Sequence, residues 1–344
     1  MDLKDKIISE LEVIRNAESL AGNRFKVRAY NKVLDQLREV PAIRSMDDIT
    51  AANVTGIGES IRKKLQEIID TGKLEISEAT KATIEAYNEI ITVHGIGHVK
   101  ALELIRDGIR TIADLRKNSD VLNAVQKLGL RFHDDIQKRI PRKEMLKHEI
   151  LLLKEFIDAG FTGSIAGSFR RGLTSSGDID LLITPAAGAG ATDEAVKRFH
   201  EVVNGKSMKK YIHAILALGD KKCMAVVKLP RHKTCRRLDI LLTSPGEYPY
   251  ALLYFTGSQN FNIGFRTEAL KQGYTINEHG MVPVAGEPTK PKPKPKPKRK
   301  AKAAAAAAAG TRPVPEMQAE EDIFRFLGIN YVKPQDRLEN IFRS

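Results

Sequence analysis

The sequence predicts a multi-domain α+β protein, all-helical at its N-terminus and a mixture of strands and helices further on. Three observations carry this. Apolar residues recur at helical spacing through the first part of the chain. From about residue 142 short apolar runs with strand character appear, interleaved with helices. A low-complexity Lys/Pro/Ala tract then interrupts the pattern before ordered periodicity returns at "EEDIFRFLGINY".

The 344 residues are enough for several domains, and 42% hydrophobic with 29% charged residues is a globular balance. No apolar run approaches the roughly 20 residues needed to span a bilayer, so no membrane association is expected. The first residues, "MDLKDKIISELEVIRNAE", carry charges of both signs and run straight into a helical pattern, unlike a signal or transit peptide. Cys223 and Cys235 lack metal-ligand spacing and make no disulfide framework, which fits a reducing compartment. Eight of the +13 formal charges fall between Lys290 and Lys302, so the rest of the chain carries +5. That is moderately basic and suits a phosphate-bearing partner.

Taken in order, "IISELEVIRNAESL" and "RAYNKVLDQLREV" read as helices, the second ended by Pro41. An internal repeat follows. "NVTGIGESIRKKL", Asn53 to Leu65, matches "TVHGIGHVKALEL", Thr92 to Leu104. Each has a valine, one residue, Gly-Ile-Gly, then a helix with leucine at the same offset. A helix, a tight turn and a second helix explain both copies, with glycines where the backbone turns or is approached closely. "RKEMLKHEILLLKEFIDAG" is a further helix, closed by Gly160. Then "GSIAGS", "DIDLLIT", "CMAVVKL" and "RRLDILLT" read as strands, with helices at "TDEAVKRFHEVVN" and "SQNFNIGFRTEALKQG". Alternating Pro-Lys in the tract at 288–315 extends by stiffness and charge repulsion and builds no core.

Chemistry concentrates at "GSFRRGLTSSGDIDLLIT". Side chains two apart on a strand share a face, so Asp178 and Asp180 point the same way. "RRLDILL" offers a second apolar strand with one carboxylate, Asp239. If these strands are neighbours, three carboxylates converge. Such a cluster repels itself unless a hard cation such as Mg²⁺ neutralises it, and two metals there suit in-line phosphoryl transfer. The plainer alternative is that the acids only cap strand ends. The preceding loop favours the first reading: Ser168 and Arg171, among backbone N–H groups, can grip a triphosphate.

"GSFRRGLTSSGDIDLLIT", "RRLDI" and "LLYFTGSQNFNIGFRTEALKQGYTINE" together resemble the family X DNA polymerases, nearest the polymerase beta pattern. The resemblance runs from about residue 5 to the end, apart from the 288–315 insert. It implies an N-terminal lyase domain with a first helix-hairpin-helix over 1–88, and a DNA-binding domain with the second over 89–146. A nucleotidyltransferase palm with a mixed sheet would cover 147–245 and an α/β nucleotide-selection subdomain 246–344.

The resemblance also implies roles. Asp178, Asp180 and Asp239 would hold two Mg²⁺ ions, with Asp239 helping to deprotonate the primer 3′-hydroxyl. Ser168, Arg171 and Gly177 would bind the triphosphate, and Arg237 the primer phosphate. Tyr254 and Phe255 would lie under the incoming sugar and exclude a 2′-hydroxyl, with a cis peptide at Gly257–Ser258. Asn262 would read the minor-groove edge of the nascent pair, and Arg266 would contact the template with Glu278 as its partner. Gly56 and Gly58, and Gly95 and Gly97, would grip DNA phosphates through backbone N–H groups. Carbonyls of Ala52, Val54 and Ile57, and of Ile91, Val93 and Ile96, would hold Na⁺ or K⁺. Lys64 would be the Schiff-base nucleophile of a 5′-deoxyribose-phosphate lyase, its pKa lowered by Arg62, Lys63, Lys26 and Arg28. Lys26, Arg28 and Tyr30 would shape the 5′-phosphate pocket. As a residue on its own, Lys64 also reads as one solvated lysine among many.

Gln259, Ile263 and Leu241 depart from the family pattern, as does Ser60, which stands where a supporting lysine is usual. The departures bear on fidelity, opening and closing, and lyase efficiency rather than on the catalytic inventory. The expected function is filling of short gaps in base excision repair of damaged DNA. The substrates would be gapped or nicked duplex DNA and deoxynucleoside triphosphates, and the enzyme a monomer with repair proteins as further partners. A template-independent nucleotidyltransferase and a non-catalytic DNA-end scaffold are the alternatives. "PKPKRKAK" reads equally as a nuclear localisation signal or an electrostatic DNA tether. The expected compartment is the nucleus, with an organelle or a virus particle as alternatives.

Overall fold

The computed structural model describes residues 2–75, 77–186, 192–284 and 312–338. The basic tract expected at 288–315 therefore lies outside the described residues up to 311. The chain divides into two units, Met1–Arg131 and Phe132–Ser344. No helix among the described residues is long and apolar enough to cross a membrane.

The first unit is helical: α1 (Leu3–Leu20), α2 (Arg24–Glu39), α3 (Met46–Ala51), α4 (Glu59–Thr71), α5 (Glu78–Ile90), α6 (His98–Arg106), α7 (Ile112–Lys117) and α8 (Ala124–Ile136), whose last residues belong to the second unit. One core gathers Ile7, Leu11, Val33, Leu37, Leu65 and Ile68; another gathers Ile90, Leu104, Leu115 and Leu130. The two Gly-Ile-Gly repeats form the same turn. Gly56 joins α3 to α4 and Gly95 joins α5 to α6, both at φ 87°. Gly58 and Gly97 sit at the N-terminal caps of α4 and α6 in extended conformation. Only glycine takes the left-handed step without strain, so the sequence repeat is a backbone repeat. The second hairpin is braced from α8. Gln126 Nε2 donates to the Gly95 carbonyl at 3.0 Å, and a Cβ on Gly129 would meet the His94 carbonyl oxygen at 2.2 Å.

The second unit opens with β1 (Ile140–Pro141) and α9 (Arg142–Asp158), then β2 (Phe161–Ile165), α10 (Gly167–Arg170), β3 (Ser175–Ser176) and β4 (Ile179–Pro185). It continues through α11 (Thr192–Val203), α12 (Lys206–Tyr211), β5 (Ile212–Leu218), β6 (Lys222–Val227) and β7 (Arg236–Leu242). The five-stranded sheet has the order β2-β4-β7-β6-β5 and is antiparallel except for the β4–β7 pair. Its central strands bury Leu181, Ile183, Leu238 and Ile240 against Phe156, Phe161 and Phe199, which explains the near-continuous apolar runs in the sequence. Of "GSIAGS" only Gly163, Ser164 and Ile165 are strand; at Gly167, φ 57°, the chain turns into the short helix α10.

A separate core is built by α13 (Tyr248–Thr256), α14 (Gln259–Lys271), the hairpin of β8 (Tyr274–Asn277) and β9 (Gly280–Pro283), and α15 (Glu320–Phe326). Phe261, Phe265 and Phe324 form its centre, with ring centroids 4.8–6.3 Å apart. The peptide between Gly257 and Ser258 is cis.

Candidate active site

Strand register assembles the acidic cluster. β4 and β7 pair in parallel with Asp180 directly opposite Asp239, and Asp178 immediately precedes β4. One oxygen from each of Asp178, Asp180 and Asp239 lies within 4.8 Å of the other two. Burial, reinforced by the charge of Asp239, pushes Asp180 up to about 6, while Arg171 and Lys222 oppose the rise. Arg237 donates to the Asp178 carboxylate, and its Nε is 3.7 Å from Asp239 Oδ2. Gly167 makes room for this arrangement: a Cβ there would sit 2.5 Å from Asp180 Oδ2. Three hard carboxylate oxygens, mutually repelling and gathered within 4.8 Å, are a donor set that fits Mg²⁺.

The cleft beside the carboxylates holds about 630 Å³ and is lined by Ser168, Arg171, Gly177, Asp178, Asp180, Tyr254, Phe255, Gly257, Asn262 and Arg266. Nearly all the residues expected to handle the nucleotide therefore meet in one place. Arg171 Nη1 donates to the Thr256 carbonyl at 2.6 Å, and Asn262 Nδ2 donates to the Tyr254 carbonyl at 2.8 Å. Tyr254 and Phe255 meet edge-on, 5.3 Å between centroids. Asn262 and Arg266, one turn apart on α14, face the cleft together with Ile263 and Gln259. Glu278 has its carboxylate 4.0 Å from His279 Nε2.

Sequence reasoning missed Arg139. It lines the same cleft, held by Ser175 through Nε at 3.1 Å and Nη2 at 2.5 Å. Its guanidinium lies 3.6 Å from where a Cβ on Gly177 would stand. Nothing local in "QKRIPRK" announces this, because the contact spans 36 residues.

In the first unit, Lys64 borders a groove of about 460 Å³ with Glu18, Ser77, Thr80 and Thr83. Its amine donates to Ser60 Oγ at 3.1 Å. The expected crowding by cations is weaker than the sequence implies. Lys26 is paired with Glu18 at 2.8 Å and Lys63 with Glu59 at 3.3 Å. Arg28 is exposed, as are Gly56, Gly58 and Gly97. Tyr30 is 3% exposed and packs in the helical core, so its ring does not form an open pocket wall. The Val93 carbonyl accepts from the Ile96 N–H at 3.0 Å within the second hairpin.

Four family models match successive parts of the chain: a helix-hairpin-helix domain over 3–74, the fingers domain of DNA polymerase lambda over 88–137, the DNA polymerase beta palm over 139–245 and the DNA polymerase beta thumb over 251–338. The palm match brackets the whole carboxylate cluster. The chain belongs to the family X DNA polymerases. Among curated family X relatives, DNA polymerase lambda of Rattus norvegicus is 27% identical, covering 96% of this chain and 56% of its own length. DNA polymerase lambda of Arabidopsis thaliana is 29% identical, with 98% and 62% covered. DNA nucleotidylexotransferase of Xenopus laevis is 23% identical, with 92% and 64% covered. The chain thus spans a little over half the length of these relatives. Family X membership agrees with the α+β architecture: helical hairpin units, then a mixed-sheet palm and a thumb.

Proposed function

We propose that the protein is a template-directed DNA polymerase that adds deoxynucleotides to a primer 3′ end in short gaps, as base excision repair requires. The observation that carries this is the convergence of Asp178, Asp180 and Asp239 beside a cleft lined by Arg139, Arg171 and Arg266. Mg²⁺ bound by these three would polarise the reacting phosphate and ease ionisation of the primer hydroxyl. The chain's own groups do the rest. Ser168 and Arg171 hold the triphosphate, and Arg139 adds a further positive charge. Asp239 accepts the proton of the primer 3′-hydroxyl as its oxygen attacks the innermost phosphorus and pyrophosphate leaves. Arg237, which donates to the Asp178 carboxylate, is the residue assigned here to the primer phosphate. Tyr254 and Phe255 form the wall against which the sugar rests. Asn262 and Arg266, presented together, favour a templated reaction, since groups that read a base pair have no task without one.

The test is incorporation of all four deoxynucleotides on gapped duplex DNA. Activity is expected with Mg²⁺, and is lost with EDTA and in Asp239→Ala while DNA binding persists. Equal extension by Asp239→Ala removes the assignment. Comparing gapped DNA with single strands checks the template-independent reading, which the similarity to a nucleotidylexotransferase keeps relevant.

For the first unit we propose a 5′-deoxyribose-phosphate lyase. The amine of Lys64 condenses with the abasic aldehyde, releasing water, and the Schiff base permits β-elimination of the downstream 5′-phosphate. The groove beside Lys64, with its three hydroxyl side chains, supports this. Borohydride trapping on a 5′-deoxyribose-phosphate end is expected to give an adduct that Lys64→Ala lacks; no adduct from the parent chain refutes it. The glycine hairpins supply sequence-independent phosphate contacts, with Na⁺ or K⁺ on their carbonyls.

A further inference from the structure

Behind the cleft wall, in the second unit, lies a charged joint centred on Glu320. Arg337 is 0% exposed and Glu320 2%. The Glu320 carboxylate accepts from Arg337 Nη2 at 2.6 Å, from Arg170 Nη1 at 2.9 Å and Nη2 at 3.2 Å, and from the Tyr331 hydroxyl at 2.7 Å. The Arg337 guanidinium is caged by the rings of Phe261, Phe324 and Tyr331 at 5.2–5.5 Å. Burial alone drives the Glu320 carboxyl up, but Arg337 and Arg170 outweigh it and hold it below the usual carboxylate range.

A buried ion cluster of this kind adds little net stability, because desolvation cancels much of the attraction. What it supplies is fixed geometry, since a guanidinium fork on a carboxylate tolerates few orientations. The geometry it fixes here is that of the chain on either side of Gly257. On one side, Arg170 Nη1 donates to Thr256 Oγ1 at 2.8 Å and Arg171 donates to the Thr256 carbonyl. On the other, the Ser258 N–H donates to the Arg337 carbonyl at 3.1 Å, and Ser258 Oγ donates to the Leu338 carbonyl at 3.0 Å. Glu320 ties Arg170 to Arg337, so both clamps close on a single anchor. The clamped stretch continues directly from Tyr254 and Phe255, which line the cleft.

We propose that Glu320 is a positioning residue that sets how firmly the 254–258 wall rejects a ribose 2′-hydroxyl. The proposal rests on the polymerase reading above. Rejecting one extra oxygen depends on a wall that does not yield by even half an ångström, whereas the triphosphate is gripped directly by Ser168 and Arg171. Loosening the joint therefore admits ribonucleotides before it costs affinity for deoxynucleotides.

The experiment uses the full chain on gapped DNA with Mg²⁺ and measures kcat and KM for dCTP and CTP opposite a template guanine. Glu320→Gln is expected to lower the dCTP-to-CTP ratio of kcat/KM by about five- to tenfold, mainly through more efficient use of CTP. Tyr331→Phe removes one hydrogen bond from Glu320, keeps both arginines, and is expected to shift the ratio the same way by less. A merely structural role lowers both efficiencies together; an unchanged ratio in Glu320→Gln overturns the proposal. Should that variant fail to fold, an unchanged ratio in Tyr331→Phe overturns it. A parent chain that incorporates neither nucleotide sinks the polymerase reading, and this proposal with it.

Discussion

In the carboxylate cleft, Asp180 and Asp239 face each other because β4 and β7 pair residue for residue, over strands whose Ile179, Leu181, Leu238 and Ile240 are buried to 1% or less. In the Lys64 groove, the amine extends from an exposed face of α4 and its hydrogen-bond partner, Ser60, lies one turn back on the same helix. The first arrangement is inherited from a sheet register that cannot slip without turning the core outward. The second hangs on long side chains: Lys64 reaches Ser60, while neighbouring Lys63 and Lys26 pair with Glu59 and Glu18 at positions open enough for each pair to contribute little. Placement is thus built into one site and left to the substrate in the other.

The sharpest way to break this contrast is to exchange the losses. Asp180→Ala is expected to reduce nucleotide incorporation by a factor on the order of a thousand or more while leaving borohydride trapping intact. Lys64→Ala is expected to do the reverse. A variant that loses both activities makes the two sites interdependent.

A second measurement asks how rigidly each hairpin of the first unit holds its own backbone. Gly129→Ala forces a methyl against the His94 carbonyl and is expected to destabilise the second hairpin by about 2–3 kcal/mol, read from a urea midpoint. Gly56→Ala, at the matching turn of the first hairpin, meets only the flexible stem of Lys32 at 3.3 Å and is expected to cost about 1–2 kcal/mol, the left-handed strain alone. Equal losses in the two repeats show that the bracing by α8 adds nothing.

A third uses pH. His148, in α9, is 0% exposed and donates or accepts at 2.5 Å with the Tyr211 hydroxyl. Burial pushes it down to about 4 although Glu144 pulls the other way. Between that value and its ordinary 6.5 the folded protein keeps it neutral while the unfolded chain binds a proton. Stability of the second unit is then fully present above about 6.5 and declines by roughly 3 kcal/mol as pH falls toward 4. A His148→Gln variant is expected to flatten that slope in a urea series. The smallest effect expected is that of salt on Lys63–Glu59 and Lys26–Glu18: raising ionic strength should move first-unit stability by a few tenths of a kcal/mol at most.

These contrasts parallel what the sequence made legible. Asp178, Asp180 and Asp239 stood out because a strand's period of two and an apolar run are local patterns, and the repeated Gly-Ile-Gly did because its φ 87° turns admit no other residue easily. β5 gave no such signal: it is one of the two edge strands, bulged, with only Leu216 buried, so its alternation is blurred. Arg139, Gln126 and Glu320 act through partners 36, 31 and 150 residues away and leave no trace in any window of sequence. Tyr30 misled for the opposite reason. Its residue type suits a phosphate pocket, but packing buries it.

The missing side chain at Gly167 has a practical consequence for anyone reshaping the site. Because a single methyl there would collide with the Asp180 carboxylate, the turn into α10 and the carboxylate beside it form one indivisible part. On the proposed polymerase reading, libraries aimed at unnatural nucleotides have more room at Gln259 and Ile263, which line the same cleft with exposed side chains.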